Sequence, residues 1–169
     1  MEKSILNDKR VLVGNNQQAV STVLEEKILR VAPNCYVDKA IDYENAVQLF
    51  VTYTYDLVIL DSLTFWSPHF LSLTLNRFPP PPVVLLTSPQ LDPEVLKGFL
   101  KMGARICPSK ENFAEIIPFL EGVVRYENFP VWRRLLEDSI GFFRGTNKPG
   151  WQKRSRFELK RVGRAESIF

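Results

Sequence analysis

The sequence predicts an α/β protein: a doubly wound, five-stranded parallel sheet of strand order 2-1-3-4-5, followed by an extra helix and a basic tail. Three observations predict it. Short apolar runs alternate with amphipathic stretches from residue 10 to about residue 126, the pattern of repeated βα units. The central run, Leu57-Val58-Ile59-Leu60, is apolar at every position, as a strand covered on both faces must be. Three side chains able to do chemistry, Asp61, Thr87 and Lys110, close or follow successive runs. In an open parallel sheet, that is the edge where ligands bind.

Each element follows from its residues. Val11-Leu12-Val13 reads as a buried strand broken by Gly14-Asn15-Asn16. Gln17 to Arg30 carries Val20, Val23, Leu24, Ile28 and Val31 at helical spacing, and Pro33 stops it. Cys35-Tyr36-Val37 begins the second strand, and Tyr43 to Tyr53 the second helix, with Ala46, Leu49 and Phe50 inward. After the central strand, Pro68 to Leu75 is a short, weakly patterned helix. Pro79 to Pro82 deliver the chain, stiffly extended, to Val83-Val84-Leu85-Leu86. Asp92-Pro93 starts the fourth helix, Asp as N-cap and Pro in the first turn, and Gly103 is placed to end it. Arg105-Ile106-Cys107 is the fifth strand and Asn112 to Tyr126 the fifth helix. Right-handed crossovers then make strands one and three neighbours, so Asn15, Asn16 and Asp61 share a crevice.

The organisation is three-part: an α/β domain over 9–126, an amphipathic helical extension over 127–144, and a basic, flexible tail over 145–169. Hydrophobic content of 45% and charged content of 24% are those of a globular protein. The net charge of +3 hides an asymmetry, because basic residues from Arg144 onward far outnumber Glu158 and Glu166 and leave an acidic remainder. Cys35 and Cys107 fall in apolar runs and are expected to be buried and reduced. No signal peptide or long apolar span is present, so a cytoplasmic protein without a membrane partner is expected.

In the extension, Val131, Trp132, Leu135, Leu136, Ile140 and Phe143 form one stripe, and Arg133-Glu137 and Arg134-Asp138 can pair on the other. The tail interleaves Trp151 and Phe157 with its cations, a pattern that can bind nucleic acid. No helix-turn-helix or winged-helix pattern accompanies it. Enzyme readings find no support: the turn Gly14-Asn15-Asn16-Gln17-Gln18 is not a nucleotide-phosphate loop, and no Walker or G-x-G-x-x-G pattern occurs. His69, Cys35 and Cys107 lack the spacing of metal ligands.

Five segments taken together carry a resemblance: Val11 to Asn16, Asp56 to Asp61, Val84-Leu85-Leu86-Thr87-Ser88, Gly103-Ala104 and Pro108-Ser109-Lys110. In order and spacing they resemble the CheY-like receiver domains of bacterial two-component response regulators, over roughly residues 9 to 126. The resemblance implies a CheY/flavodoxin-like fold and a signalling protein of a phosphorelay rather than an enzyme. It implies that Asp61 accepts a phosphoryl group from a histidine kinase, that Thr87 hydrogen-bonds it, and that Lys110 holds the phosphoryl oxygens or the Asp61 carboxylate. Mg²⁺ would be held by Asp61, the carbonyl of Leu63 and an acidic pair after the first strand. Partners would be that kinase or another signalling protein, or a second copy through the side of the fourth and fifth helices.

Three positions depart from the pattern. Asn15 and Asn16 stand where the acidic pair belongs, Phe65 stands where proline is usual, and Cys107 replaces an aromatic residue. Mg²⁺ takes octahedral oxygen ligands that usually include carboxylates. Each unit charge lost at about 4 Å removes on the order of 4 kcal/mol of attraction per cation charge at an effective dielectric near 20. The expectation is therefore an atypical receiver with weak Mg²⁺ binding that acts through protein-protein contact. The alternatives are a phosphorylatable receiver using Asp61, and a regulator binding nucleic acid through its tail.

Overall fold

The computed structural model describes residues 3–62, 68–87, 91–107 and 113–127. Leu63, Phe65, Lys110, the extension and the tail lie outside the described residues. The elements alternate in chain order: β1 (Arg10–Gly14), α1 (Gln18–Val31), β2 (Tyr36–Ala40), α2 (Tyr43–Thr52), β3 (Leu57–Asp61), α3 (Pro68–Leu75), β4 (Val83–Leu86), α4 (Pro93–Lys101), β5 (Arg105–Cys107) and α5 (Ile116–Glu127). The strands form one five-stranded sheet in the order β2-β1-β3-β4-β5, every neighbouring pair parallel. This is the order the sequence predicts.

The two-residue period of the strands sorts side chains onto two cores. Val11, Val13, Leu57, Ile59, Val84 and Leu86 point to one face and pack with Leu24 and Ile28 of α1 and Leu120 and Val123 of α5. Leu12, Val58, Leu60, Val83 and Leu85 point to the other, against Ala46 and Phe50 of α2, Phe70 and Leu71 of α3 and Phe99 of α4. All five residues of β3 are buried. Each large apolar side chain withdrawn from water in this way contributes roughly 1.5–3 kcal/mol before chain entropy opposes it. Cys35 and Cys107 are free and buried, and burial pushes both thiols up to about 11.

The helix ends follow local chemistry. Asp42 accepts from the Asn45 N–H at 2.8 Å and Asp92 from the Glu94 N–H at 2.8 Å, capping α2 and α4. At the far end of α4, Gly103 adopts φ 89°. Its N–H bonds the Leu100 carbonyl at 3.0 Å and the Ala104 N–H bonds that of Phe99 at 3.1 Å. This is a Schellman closure, which needs a left-handed residue at that point.

Two expectations are corrected. The fifth helix begins at Ile116 rather than Asn112, because Pro118 has no N–H to give the carbonyl four residues back and its ring clashes there. Starting at Ile116 places it in the first turn, where neither defect matters. On α1 the inward stripe is Ser21, Leu24 and Ile28, while Val23 and Val31 are 38% and 40% exposed at its margins. Ahead of β1, Leu6 is fully buried, and the Ser4 hydroxyl donates to Glu121 of α5 at 2.5 Å. His69, in α3, is exposed.

Candidate functional site

Strand register assembles the site. Gly14 is aligned with Leu60, Asp61 with Leu86, and Leu86 with Cys107. The residues that follow β1, end β3 and follow β4 therefore sit side by side at the carboxyl edge of the sheet. Asn15, Asp61, Ser62 and Thr87 are all buried there, whereas Asn16 is exposed.

Asn15 faces Asp61. Its Nδ2 donates to Asp61 Oδ2 at 3.1 Å, and its Oδ1 accepts from the Gln17 N–H at 2.7 Å. The second bond is an Asx turn that leads the chain into α1. It also fixes the amide's orientation: flipped, the side chain would set oxygen against a carboxylate and NH₂ against an N–H. Both ends of Asn15 are thus engaged. A fully buried carboxylate needs such donors, because water is not there to solvate it.

On the other side of Asp61, the Thr87 hydroxyl donates to the Cys107 carbonyl at 3.1 Å, which ties the end of β4 to β5. The Ser62 hydroxyl donates to the Leu86 carbonyl at 2.9 Å, and the Ser62 N–H bonds the same oxygen at 3.1 Å. Gln17 and Ser62 are site-building residues that sequence reasoning passed over. The Asn-x-Gln spacing carries an Asx-turn signal for the first; nothing in the sequence marks the second. Of the expected site residues, the structure brings Asn15 and Asp61 into direct contact and places Thr87 just past the end of the neighbouring strand. Lys110 and Leu63 lie outside the described residues.

The Mg²⁺ that the receiver resemblance implies would have to be held by the donor set around Asp61. Asp61 is its one carboxylate among the described residues, Asn15 spends its oxygen on Gln17, and Asn16 is neutral. Among the described residues no group of three His, Cys, Asp or Glu side chains could hold a metal ion. These residues do not fit a site for a hard divalent cation.

No family model matches the chain, and no curated protein matches it in sequence. Solved structures do match. The receiver domain of a DNA-binding response regulator from Colwellia psychrerythraea superposes with a TM-score of 0.62 at 18% identity, over 70% of this chain and 99% of that one. The non-phosphorylated HemR receiver domain from Leptospira biflexa gives 0.59 at 22% identity, over 69% and 94%. The response regulator TrrA from Thermotoga maritima, in complex with Mg²⁺-BeF, gives 0.55 at 22% identity, over 68% and 98%. The chain thus has the fold of the CheY-like receiver domains of response regulators, with their five parallel strands in the same order.

Proposed function

We propose that this chain is a receiver-type signalling module that works through protein-protein contact and is not driven by Mg²⁺-dependent phosphoryl transfer. The observation that carries the reading is the hydrogen bond from Asn15 to Asp61 at 3.1 Å. Where a metal-dependent acceptor site needs neighbouring anions to recruit a cation, this one has a neutral amide donating directly to the acceptor-position carboxylate. Two further facts support it: Asp61 is fully buried, and the Thr87 hydroxyl is spent on a backbone carbonyl of β5. Phosphoryl transfer requires positioning and charge neutralisation more than covalent help from the protein. A site without cation-binding anions supplies little of the second.

An arrangement satisfied without metal or phosphate holds the domain in one conformation. Its surface is then available to a partner continuously, and the side of α4 and α5 is the face proposed for that contact. Among the described residues no helix is long and apolar enough to cross a membrane.

The test is mass spectrometry of the intact chain after incubation with Mg²⁺ and a small phosphodonor such as acetyl phosphate. No phosphate adduct is expected on the wild type. The double variant Asn15→Asp/Asn16→Asp should gain one, and Asp61→Asn in that background should lose it. Rapid stoichiometric labelling of wild-type Asp61 would overturn the proposal and establish a phosphorylatable receiver instead.

A further inference from the structure

A second concave feature lies at the pole opposite Asp61, where Lys9, Asp56 and Pro82 lead into β1, β3 and β4. It is a cleft of about 470 Å³, a volume typical of small-molecule sites. Lys9, Thr54, Asp56, Arg77, Phe78 and the Pro79–Pro82 run line it, with the buried Val124 of α5 behind them. Polar and apolar groups are mixed, and the polar ones are unevenly satisfied. Asp56 spends both oxygens: one accepts from Lys9 Nζ at 3.3 Å, the other from the Arg10 N–H at 2.9 Å. Arg77 is held by its Nη1, which donates to the carbonyls of Phe50 and Tyr53 at the end of α2. A guanidinium has five N–H donors, so those on Nε and Nη2 remain open. No carboxylate among the described residues forms an ion pair with Arg77. Lys9 likewise has donors beyond the one turned to Asp56.

Charge selects the ligand. The two cations of the cleft, Lys9 and Arg77, stand against one carboxylate, Asp56, an excess of a single positive charge. A monoanion is neutralised there, whereas a dianion would bring surplus negative charge up to Asp56. The open edge of Arg77 is planar and forked, the geometry that takes a carboxylate through two parallel N–H groups. It is also fixed in place: the α2 carbonyls hold it, and the centre of the guanidinium lies 4.9 Å from the Phe50 ring centroid. Little side-chain freedom is then lost on binding. Apolar surface adjoins these donors. Pro79 and Pro80 are exposed, and Phe78 on the rim is 98% exposed, the most exposed large apolar side chain among the described residues. We infer that this cleft binds a small organic acid, one carboxylate on a flat apolar body. The carboxylate lies on Arg77 and Lys9, and the body against Phe78, Pro79 and Pro80. The bound acid joins the end of α2, the starts of β1 and β3 and the turn before β4, independently of the Asp61 pocket and of the reading proposed for it.

A heteronuclear NMR titration of the full chain tests this, with phenylacetate as the probe and phenylacetamide, acetate and inorganic phosphate as comparisons. Phenylacetate should shift the Arg77 Nε–H and the amides of Lys9, Thr54, Asp56 and Phe78 together. The shifts should saturate with a dissociation constant on the order of 1 mM, in keeping with so small a probe. Phenylacetamide removes the charge, acetate removes the ring, and phosphate reports a bare anion site. Each should bind at least about tenfold more weakly. Binding by any of the three as tight as that of phenylacetate would overturn the inference. So would phenylacetate shifts that do not saturate or that fall elsewhere on the chain. Two variants check the contacts. Phe78→Ala removes a ring that is almost wholly exposed, so folding is not endangered, and should weaken phenylacetate about threefold. Arg77→Lys keeps the charge but loses the fork, and should weaken it about tenfold. Wild-type affinity in Phe78→Ala, or in an Arg77→Lys chain whose spectrum shows the wild-type fold, would overturn the assignment of those residues and the inference with it.

Discussion

Replacing Asn15 by aspartate changes one amide to a carboxylate in a place where little else can adjust. Asn15 and Asp61 are both fully buried, and the atoms that now attract each other are 3.1 Å apart. At that spacing two like unit charges repel by about 5 kcal/mol at an effective dielectric of 20. The pair can escape by taking up a proton, but holding an ordinary aspartic acid protonated at pH 7.5 also costs about 5 kcal/mol at 1.36 per pH unit. The two routes agree, and local relaxation reduces the loss to about 3–5 kcal/mol. Asn15→Ala loses the charge-assisted hydrogen bond to Asp61 and the bond from the Gln17 N–H, together about 2–4 kcal/mol, with no added charge.

Urea unfolding across pH separates these cases. In the aspartate variant the folded state binds the shared proton more tightly than the unfolded chain does. Its deficit is therefore full near pH 7.5 and shrinks as pH falls towards 5. Divalent cation should act in the same direction: Mg²⁺ at about a hundred times its dissociation constant would restore roughly 2.7 kcal/mol. The wild type and Asn15→Ala should not respond to Mg²⁺. An Asn15→Asp chain as stable as wild type at pH 7.5, with no recovery on acidification, would show that the amide and the carboxylate do not face each other.

The remaining predictions concern the Asp61 pole and the scaffold. The intact-mass experiment should find phosphate on the double aspartate variant and none on the wild type. Alkaline pH should destabilise the fold: burial raises the thiols of Cys35 and Cys107 to about 11, so the folded state keeps protons that the unfolded chain releases. Stability is whole below about pH 9 and falls as pH climbs towards 11, by up to roughly 2–3 kcal/mol per thiol. Thermal melts of Cys35→Ala/Cys107→Ala should show a flatter decline over that window. Gly103→Ala should cost about 1–2 kcal/mol, or roughly 4 °C in melting temperature. The added methyl meets only Leu75 at 3.9 Å, so the penalty is the left-handed backbone alone. An unchanged melt would mean the α4 closure does not hold this residue at positive φ.

Much of this was written in one dimension. Strand faces follow from alternation, so Val11 and Val13 go to one core and Leu12 to the other. The α4 caps follow from Asp92-Pro93 and Gly103, whose effects act within a few residues. Parallel connectivity then places Asp61, Thr87 and Asn15 at one edge, because chain order and handedness leave few arrangements open. Pro118 was equally legible as a limit on α5, but a strong apolar stripe beyond it drew the boundary too early.

The rest required contacts between segments far apart in sequence. The direction of the Asn15 amide depends on a carboxylate from β3 and an N–H from the mouth of α1. Nothing local distinguishes donating to Asp61 from accepting elsewhere. The same holds for Thr87, whose hydroxyl takes a β5 carbonyl brought near by register. The lower cleft belongs to no single stretch either, since its walls come from the ends of three strands, the turn after α3 and one side of α5. Local propensity and period determine elements and their faces; orientations and cavities arise only when the tertiary fold supplies each polar group with a partner.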